Sequence, residues 1–228
     1  MPKARDHGPL PPLLVLLTVM TGLVDSVSYL ALGNVFVANM TGNIIFLGFG
    51  LGGSGTATGS ILSTTLSTLF FCAGASVGGH LAFRRPIHRG LLLGRGTALQ
   101  TCALVVVALL VTTSGPTGSP VREVLIAILA VSMGWQYALV QRLDVPDFRT
   151  IVVTTTVTAL VAEPGQSRER AVRRVLSIGA LLLGAAIGSA LIRKVSVAAP
   201  LWGATAVLLV VAVASSVTAR RAGSERWR

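Results

Sequence analysis

One acidic residue, Asp25, stands well inside a long apolar run of this chain, Pro11–Gly33. A carboxylate at the centre of a bilayer costs at least about 2.5–3.5 kcal/mol on insertion scales, so it needs a compensating partner. It can titrate or coordinate a cation during transport, or it can cap a broken helical segment through backbone N–H groups. Both readings fit the residue type. A little further on, Asn39 and Asn43 lie four residues apart and would share one face of a helix, with Thr41 and Gly42 between them. Gly42 permits close backbone approach or a positive φ, as a broken helix needs. Later in the chain, Thr154 and Thr158 repeat the four-residue spacing, and Gln136 stands in another apolar run. Amides, hydroxyls and bared backbone of this kind bind a small polar solute, a cation or a proton. The alternative is hydrogen bonding from helix to helix, typically worth about 0.6 kcal/mol per bond in membranes. Thr155 fits that alternative better.

Other patterns carry less. Gly74-Ala-Ser76-Val-Gly78 matches G-x-S-x-G, with His80 four residues after Ser76. A hydrolase elbow requires a strand-turn-helix context, and the surrounding run is uniformly apolar. Gly74 with Gly78, and Gly184 with Gly188, read instead as small-xxx-small pairs that let helices pack closely. Cys72 and Cys102 fall inside apolar runs and read as small packing residues. No Walker loop, H-E-x-x-H motif or Cys/His cluster occurs. The expectation is therefore no enzyme, no cofactor and no metal. Asn39-Met40-Thr41 has the form of a glycosylation site but lies within an apolar piece, which argues against modification.

The elements that must position these residues follow from composition. Ordinary soluble domains carry roughly 25% charged residues, whereas here 12% are charged and 52% hydrophobic. A mean hydropathy of +0.76 leaves too little polar surface to coat a water-facing globule. The apolar residues come in runs near the ~20 needed to span a bilayer: Pro11–Gly33, Thr58–Phe83, Leu91–Thr113, Val121–Leu143, Ala171–Ile192 and Val197–Ala219. The first exceeds the apolar core of a cleaved signal peptide, which is 7–15 residues or so. Two shorter pieces, 36–51 and 148–162, contain most of the candidate site residues.

Charge decides whether the short pieces cross. If they do not, and the N-terminus is cytoplasmic, one face collects Lys3, Arg5, Arg84, Arg85, Arg89, Arg95, Arg142, Arg149, the Arg168–Arg174 group and the arginines of 220–228. The other face keeps only Arg122, Arg193 and Lys194. Crossing pieces would move the Arg84–Arg95 group, Arg142 and Arg149 outside and nearly level the two sides. Lys/Arg bias in short loops sets orientation. Six transmembrane helices with both termini cytoplasmic are expected, and the short pieces are re-entrant or broken. The net charge of +11 then belongs to headgroup-facing loops, with no nucleic-acid partner. Arg142, Asp144, Asp147 and Arg149 bracket the second short piece, either as gating ion pairs or as ordinary interface charges.

The halves, residues 1–116 and 117–228, look alike. Gly22-Leu-Val-Asp25 has a counterpart in Gly134-Trp-Gln-Tyr137, and each is followed by a short polar-apolar piece and then a span ending in a basic pair. Three crossings per half make the second copy upside down, the arrangement of secondary transporters with a site at the repeat interface. The stretch Gly22-Leu-Val-Asp25-Ser-Val-Ser28-Tyr-Leu-Ala-Leu-Gly33, with Phe36-Val-Ala-Asn39-Met-Thr41-Gly42-Asn43, resembles the signature of YoaK-like bacterial membrane proteins. So does Val145-Pro-Asp147-Phe-Arg-Thr150-Ile-Val-Val-Thr154-Thr-Thr156-Val-Thr158-Ala-Leu160. The resemblance covers nearly the whole chain. It departs from the pattern at Tyr137, where Asn is expected, and at Thr155, which replaces Gly or an apolar residue. It implies a multi-pass protein of the bacterial cell membrane whose domain is one of unknown function. The function expected from the residues is a small-solute secondary transporter or permease; the alternative is a non-transporting scaffold or partner-binding subunit. Six spans bury little of themselves, which makes a homodimer a natural assembly.

Overall fold

The computed structural model describes residues 8–53, 60–83, 88–116, 118–143, 145 and 168–221. Those residues form seven helices: α1 (Leu10–Ala31), α2 (Met40–Leu51), α3 (Ile61–Phe83), α4 (Arg89–Ser114), α5 (Ser119–Leu143), α6 (Arg168–Lys194) and α7 (Ala199–Ala219). No strand occurs among them. All but α2 are long and apolar enough to cross a membrane, which makes the six expected spans. Two of them, α4 and α6, begin on an arginine ahead of the apolar run, at Arg89 and Arg168, because Arg side chains can lay their stems along a helix and keep the charge in the headgroup layer.

Helix ends follow local chemistry. Pro11 and Pro12 occupy the first turn of α1, where a missing N–H breaks no helical bond. The same helix ends in a Schellman turn. Gly33 takes φ 96° and the Asn34 N–H donates to the Tyr29 carbonyl at 3.1 Å. Asn34 follows in the left-handed region as well, at φ 58°, so the chain doubles back at once.

That reversal places α2. Its 12 residues amount to about 18 Å at 1.5 Å per residue, well short of the ~30 Å hydrocarbon core. At its far end, Gly50 abuts Ile61 at the start of α3. Ser63 of α3 donates to Glu123 of α5 at 2.7 Å, and Gly33 lies against Arg122. The C-terminal ends of α1 and α2 and the N-terminal ends of α3 and α5 therefore share one end of the bundle. The first short piece enters and leaves from the same side, and it does not span.

The spans pack as close pairs: α3 with α5, α1 with α6, and α4 with α7. Glycines make the first two pairs intimate. Val19, Gly22, Leu23 and Ser26 of α1 meet Leu181, Gly184, Ala185 and Gly188 of α6, while Val131, Gly134, Trp135 and Ala138 of α5 meet Phe71, Gly74, Ala75 and Gly78 of α3. One spacing, i, i+3, i+4 and i+7, describes all four faces. A Cβ on Gly22 would lie 2.5 Å from the Leu181 carbonyl oxygen, and one on Gly134 would overlap the Phe71 carbonyl. Small residues permit this approach, which replaces the hydrophobic drive that lipid does not supply. Cys72 and Cys102, expected as packing residues, are instead exposed on the outer faces of α3 and α4; on α3 the packing positions are taken by the glycine register.

The close contact is testable by bulk. Gly134→Leu is expected to destabilise the protein by about 1–3 kcal/mol or more. Gly79→Ala, where a Cβ would meet nothing within 4 Å, is expected to be neutral. Thermal unfolding in detergent compares them; equal melting temperatures for the two variants would refute the packing.

Candidate functional site

Between α1 and α2 the backbone of residues 35–39 is not helical, yet Val35, Val37 and Ala38 are buried. Hydrocarbon offers no water, so exposed N–H and C=O groups there must be bonded by protein. Three side chains do so. Asp25 Oδ1 accepts from the Ala38 N–H at 3.1 Å and, more weakly, from the Val37 N–H at 3.4 Å. The Asn43 amide brackets Phe36: its Oδ1 accepts from the Phe36 N–H at 3.0 Å and its Nδ2 donates to the Phe36 carbonyl at 2.6 Å. Ser67 of α3 donates to the same carbonyl at 2.6 Å and accepts from Asn43 Nδ2 at 3.3 Å. The Phe36 ring stacks on Tyr29 at 4.8 Å and faces Phe46 at 6.0 Å, which fixes the segment against both helices.

The two asparagines do not share a helix face. Asn39 is the N-cap of α2, with φ −111° and ψ 81°, and its Oδ1 accepts from the Gly42 N–H at 3.5 Å. A cap lies outside the helical geometry, so the four-residue spacing places nothing in register. Asn39 and Thr41 are exposed, whereas Asn43 is fully buried. Gly42 is helical and has no positive φ; a Cβ there would press on the Phe36 ring at 3.1 Å. Of the two roles expected for it, close approach is the one it plays.

Gln136 belongs to a second cluster at the middle of the bundle. Its Nε2 donates to Thr21 Oγ1 of α1 at 3.0 Å, and its Oε1 accepts from Gln100 Nε2 of α4 at 2.9 Å. Gln100 Nε2 also lies 3.4 Å from the Ser132 carbonyl. Thr21 in turn donates to Leu17 O at 2.9 Å. Thr21 and Asp25 are one helical turn apart on α1, so the two clusters are stacked along one face of that helix. Thr18 and Ser28 extend the same stripe, and its 18-21-25-28 spacing in the sequence is the signal that would have found them. Gln100 and Ser67 had no such signal: each is a single polar residue in an apolar run.

Other residues separate from this site. At the place corresponding to Asp25, three residues after the packing glycine of α5, Tyr137 accepts from Gln141 Nε2 at 2.8 Å. His80 Nδ1 contacts the Ser76 backbone carbonyl at 2.7 Å, a contact within one helix turn and not a hydroxyl–imidazole pair. Thr154, Thr155 and Thr158, the second short piece 148–162, and Asp144, Asp147 and Arg149 lie outside the described residues.

The hydrogen bonds rank the asparagines. Asn43→Ala strips Phe36 of its bracket and is expected to cost about 2 kcal/mol or more. Asn39→Ala, which loses one long and exposed cap bond, is expected to cost about 0.5–1 kcal/mol. Reversible unfolding in mixed micelles measures both, and a larger loss for the Asn39 variant would overturn this assignment.

The comparison with known proteins agrees with the architecture. The family described as "Protein of unknown function (DUF1275)" matches residues 13–214, a stretch that reaches from the first span into the last. The UPF0700 transmembrane protein YoaK of Bacillus subtilis (strain 168) is 30% identical over 152 residues, 66% of this chain. The match spans 65% of that relative's own length. No solved structure matches the chain. With its helical spans and this match along most of its length, the chain belongs to the DUF1275 family and is a multi-pass membrane protein similar to YoaK.

Proposed function

We propose that this protein is a small-solute secondary transporter of the bacterial cytoplasmic membrane, with Asp25 as the group that binds a proton or cation. One observation carries the reading. Asp25 accepts two backbone N–H bonds that an amide oxygen would accept equally well. Asn43, next door, satisfies Phe36 with an amide. A carboxylate within the membrane costs more than an amide would, so backbone capping alone does not account for an acid at position 25. What an acid adds is the capacity to change charge. Loss of that charge would weaken its hold on Val37 and Ala38 and loosen α2 from α1, while Ser67 kept α2 on α3.

The inverted repeat supports the same reading. The matching glycine faces of α1 and α5, and of α6 and α3, are what a two-fold relation between residues 1–116 and 117–228 requires. Exchanging α1 with α5, α3 with α6 and α4 with α7 also carries the close pairs onto one another. Each of the two glycine pairs holds one helix from each half. The units that rock are then the pairs, α1–α6 against α3–α5, with the bond between Thr21 and Gln136 crossing between them. Solute would be met by Asn39 and Thr41, which are exposed at the start of α2.

A scaffold without transport is the second reading, favoured by Gln136, which is fully buried with its amide already bonded to Thr21 and Gln100. A thermal-stability screen of small polar solutes and monovalent cations separates the two. A ligand at 100 times its Kd adds about 2.7 kcal/mol to stability. Transport through Asp25 predicts a solute or ion that raises the melting temperature of the wild type and not of Asp25→Asn. A screen in which every stabilising solute acts equally on both proteins would remove Asp25 from the mechanism.

Orientation is checked separately in a Cys72→Ala, Cys102→Ala background. A single cysteine at Val195, beside Arg193 and Lys194, is expected to react with an impermeant thiol reagent in intact cells, and one at Arg89 only after lysis. Labelling of Arg89→Cys in intact cells would reverse the topology.

A further inference from the structure

Facing away from Asp25, α3, α4 and α5 leave a groove of about 580 Å3 between them. Phe70 and Val77 of α3, Leu99 and Val106 of α4, and Val131 and Trp135 of α5 wall it. Most of these walls are exposed at the outside of the bundle, so the groove opens to lipid. Walls of this kind admit any hydrocarbon. The floor is more selective.

Gln100 and Ser132 line the floor and are 2% and 4% exposed. Gln100 Oε1 and Ser132 Oγ have no hydrogen-bond partner within the protein. Other buried hydroxyls find a partner: Thr97 of α4 donates to the Leu93 carbonyl one turn back at 2.7 Å, and Ser63 and Ser67 of α3 donate to Glu123 and to the Phe36 carbonyl. Ser132 does not. The Gln100 nitrogen is already committed to Gln136 and to the Ser132 carbonyl, which fixes its oxygen as the free pole. An unpaired buried polar atom costs about 1–3 kcal/mol, and hydrocarbon holds no water to relieve it.

The pair of orphans is not a by-product of the helix pairing. Two residues before and two after Gly134 stand Ser132 and Gln136; two before and two after Gly22 stand Met20 and Val24. The polar floor takes Gln100 from α4 and Ser132 from α5.

An occupant that completes this site is apolar along most of its length and ends in a group that donates to Gln100 Oε1 and accepts from Ser132 Oγ. A hydroxyl does both with one atom. An alkyl tail, an ester or a ketone has no donor to offer. The volume lies within the roughly 300–1,000 Å3 of small-molecule sites. We infer that this groove binds a membrane-soluble alcohol, entering sideways from the bilayer with its hydroxyl seated between Gln100 and Ser132. The site is independent of the transport reading, since none of its walls comes from α1 or α2.

Trp135 makes the site measurable. With Trp202 and Trp227 replaced by Phe, it is the remaining tryptophan, and its indole N–H is tied to the Gly96 carbonyl at 3.0 Å. The probes are a long-chain alcohol brominated at its far end and the methyl ether of the same molecule. The alcohol is expected to quench Trp135 at about one-tenth the concentration of the ether, the worth of one buried hydrogen bond. Gln100→Met is expected to abolish that difference and Ser132→Ala to weaken both probes alike, since an ether oxygen also accepts from a hydroxyl, while Ala127→Leu, which fills the groove, removes saturable quenching by both probes. Equal quenching by alcohol and ether in the wild-type floor would reduce the groove to an acyl-chain cleft and overturn the proposal. So would a preference for the alcohol that survives Gln100→Met, binding of both probes that is unchanged in Ser132→Ala, or saturable quenching that survives Ala127→Leu.

Discussion

Backbone that leaves a helix inside hydrocarbon must find hydrogen-bond partners, and this requirement organises the first half of the molecule. Only a few residues, 35–38, are non-helical and at least partly buried, but their N–H and C=O groups recruit side chains from α1, α2 and α3. Asp25 answers for Val37 and Ala38, while Asn43 and Ser67 answer for Phe36. The reversal at Gly33 and Asn34 brings the segment back beside α1, and the ring of Phe36 wedges it between Tyr29 and Phe46. A re-entrant half-helix is stable here because Phe36, Val37 and Ala38 within the break are tied to α1 and α3, which span. The same bonds make α2 a strap between α1 and α3, two helices otherwise held to different partners.

Glycine supplies the second constraint. In water, helices associate by burying apolar surface; in lipid that gain vanishes, and close van der Waals contact takes its place. The i, i+3, i+4, i+7 faces of α1, α6, α3 and α5 bring backbones together so closely that a single methyl group would not fit at Gly74, Gly134 or Gly184. Faces this tight slide poorly and tend to move as units. The flexible contacts are therefore those between pairs, where α1 meets α5 through Thr21 and Gln136 and where α2 bridges α1 and α3.

How much of this was legible in the sequence differs by kind of signal. The six spans and the short first piece were readable because length and hydropathy alone define them, and the packing glycines of α3 and α6 because their spacing is local, whereas Gly22 and Gly134 stand alone in α1 and α5 and carry no such pair. The start of α2 was misplaced by a few residues, since Phe36–Ala38 is as apolar as a helix would be and only the cap at Asn39 marks the boundary. That cap also explains why a shared face for Asn39 and Asn43 did not follow. Gln100 and Ser67 could not be identified, because each partner lies far away along the chain: Gln136 is 36 residues from Gln100, and Phe36 is 31 from Ser67. A lone polar residue in an apolar run looks the same whether it binds a neighbour, a ligand or nothing. Asp25 was found by its cost, which is a one-residue signal and needs no partner to be seen.

That cost also shapes the relation between the two polar clusters. Asp25 and Thr21 are one turn apart on α1, yet they answer to different elements: Asp25 to the broken segment before α2, and Thr21 to α5 and through it to α4. A change of charge at Asp25 would act on the first set of bonds directly. It would reach the second only through α1, which is locked to α6 by Gly22 and Gly184. A small rotation of that locked pair would strain the Thr21–Gln136 bond, whereas a purely local release of α2 would leave it intact. The stripe along α1 is thus the physical link by which an event near one membrane surface can be felt at the centre, and its stiffness comes from the glycine contacts on the opposite face of the helix.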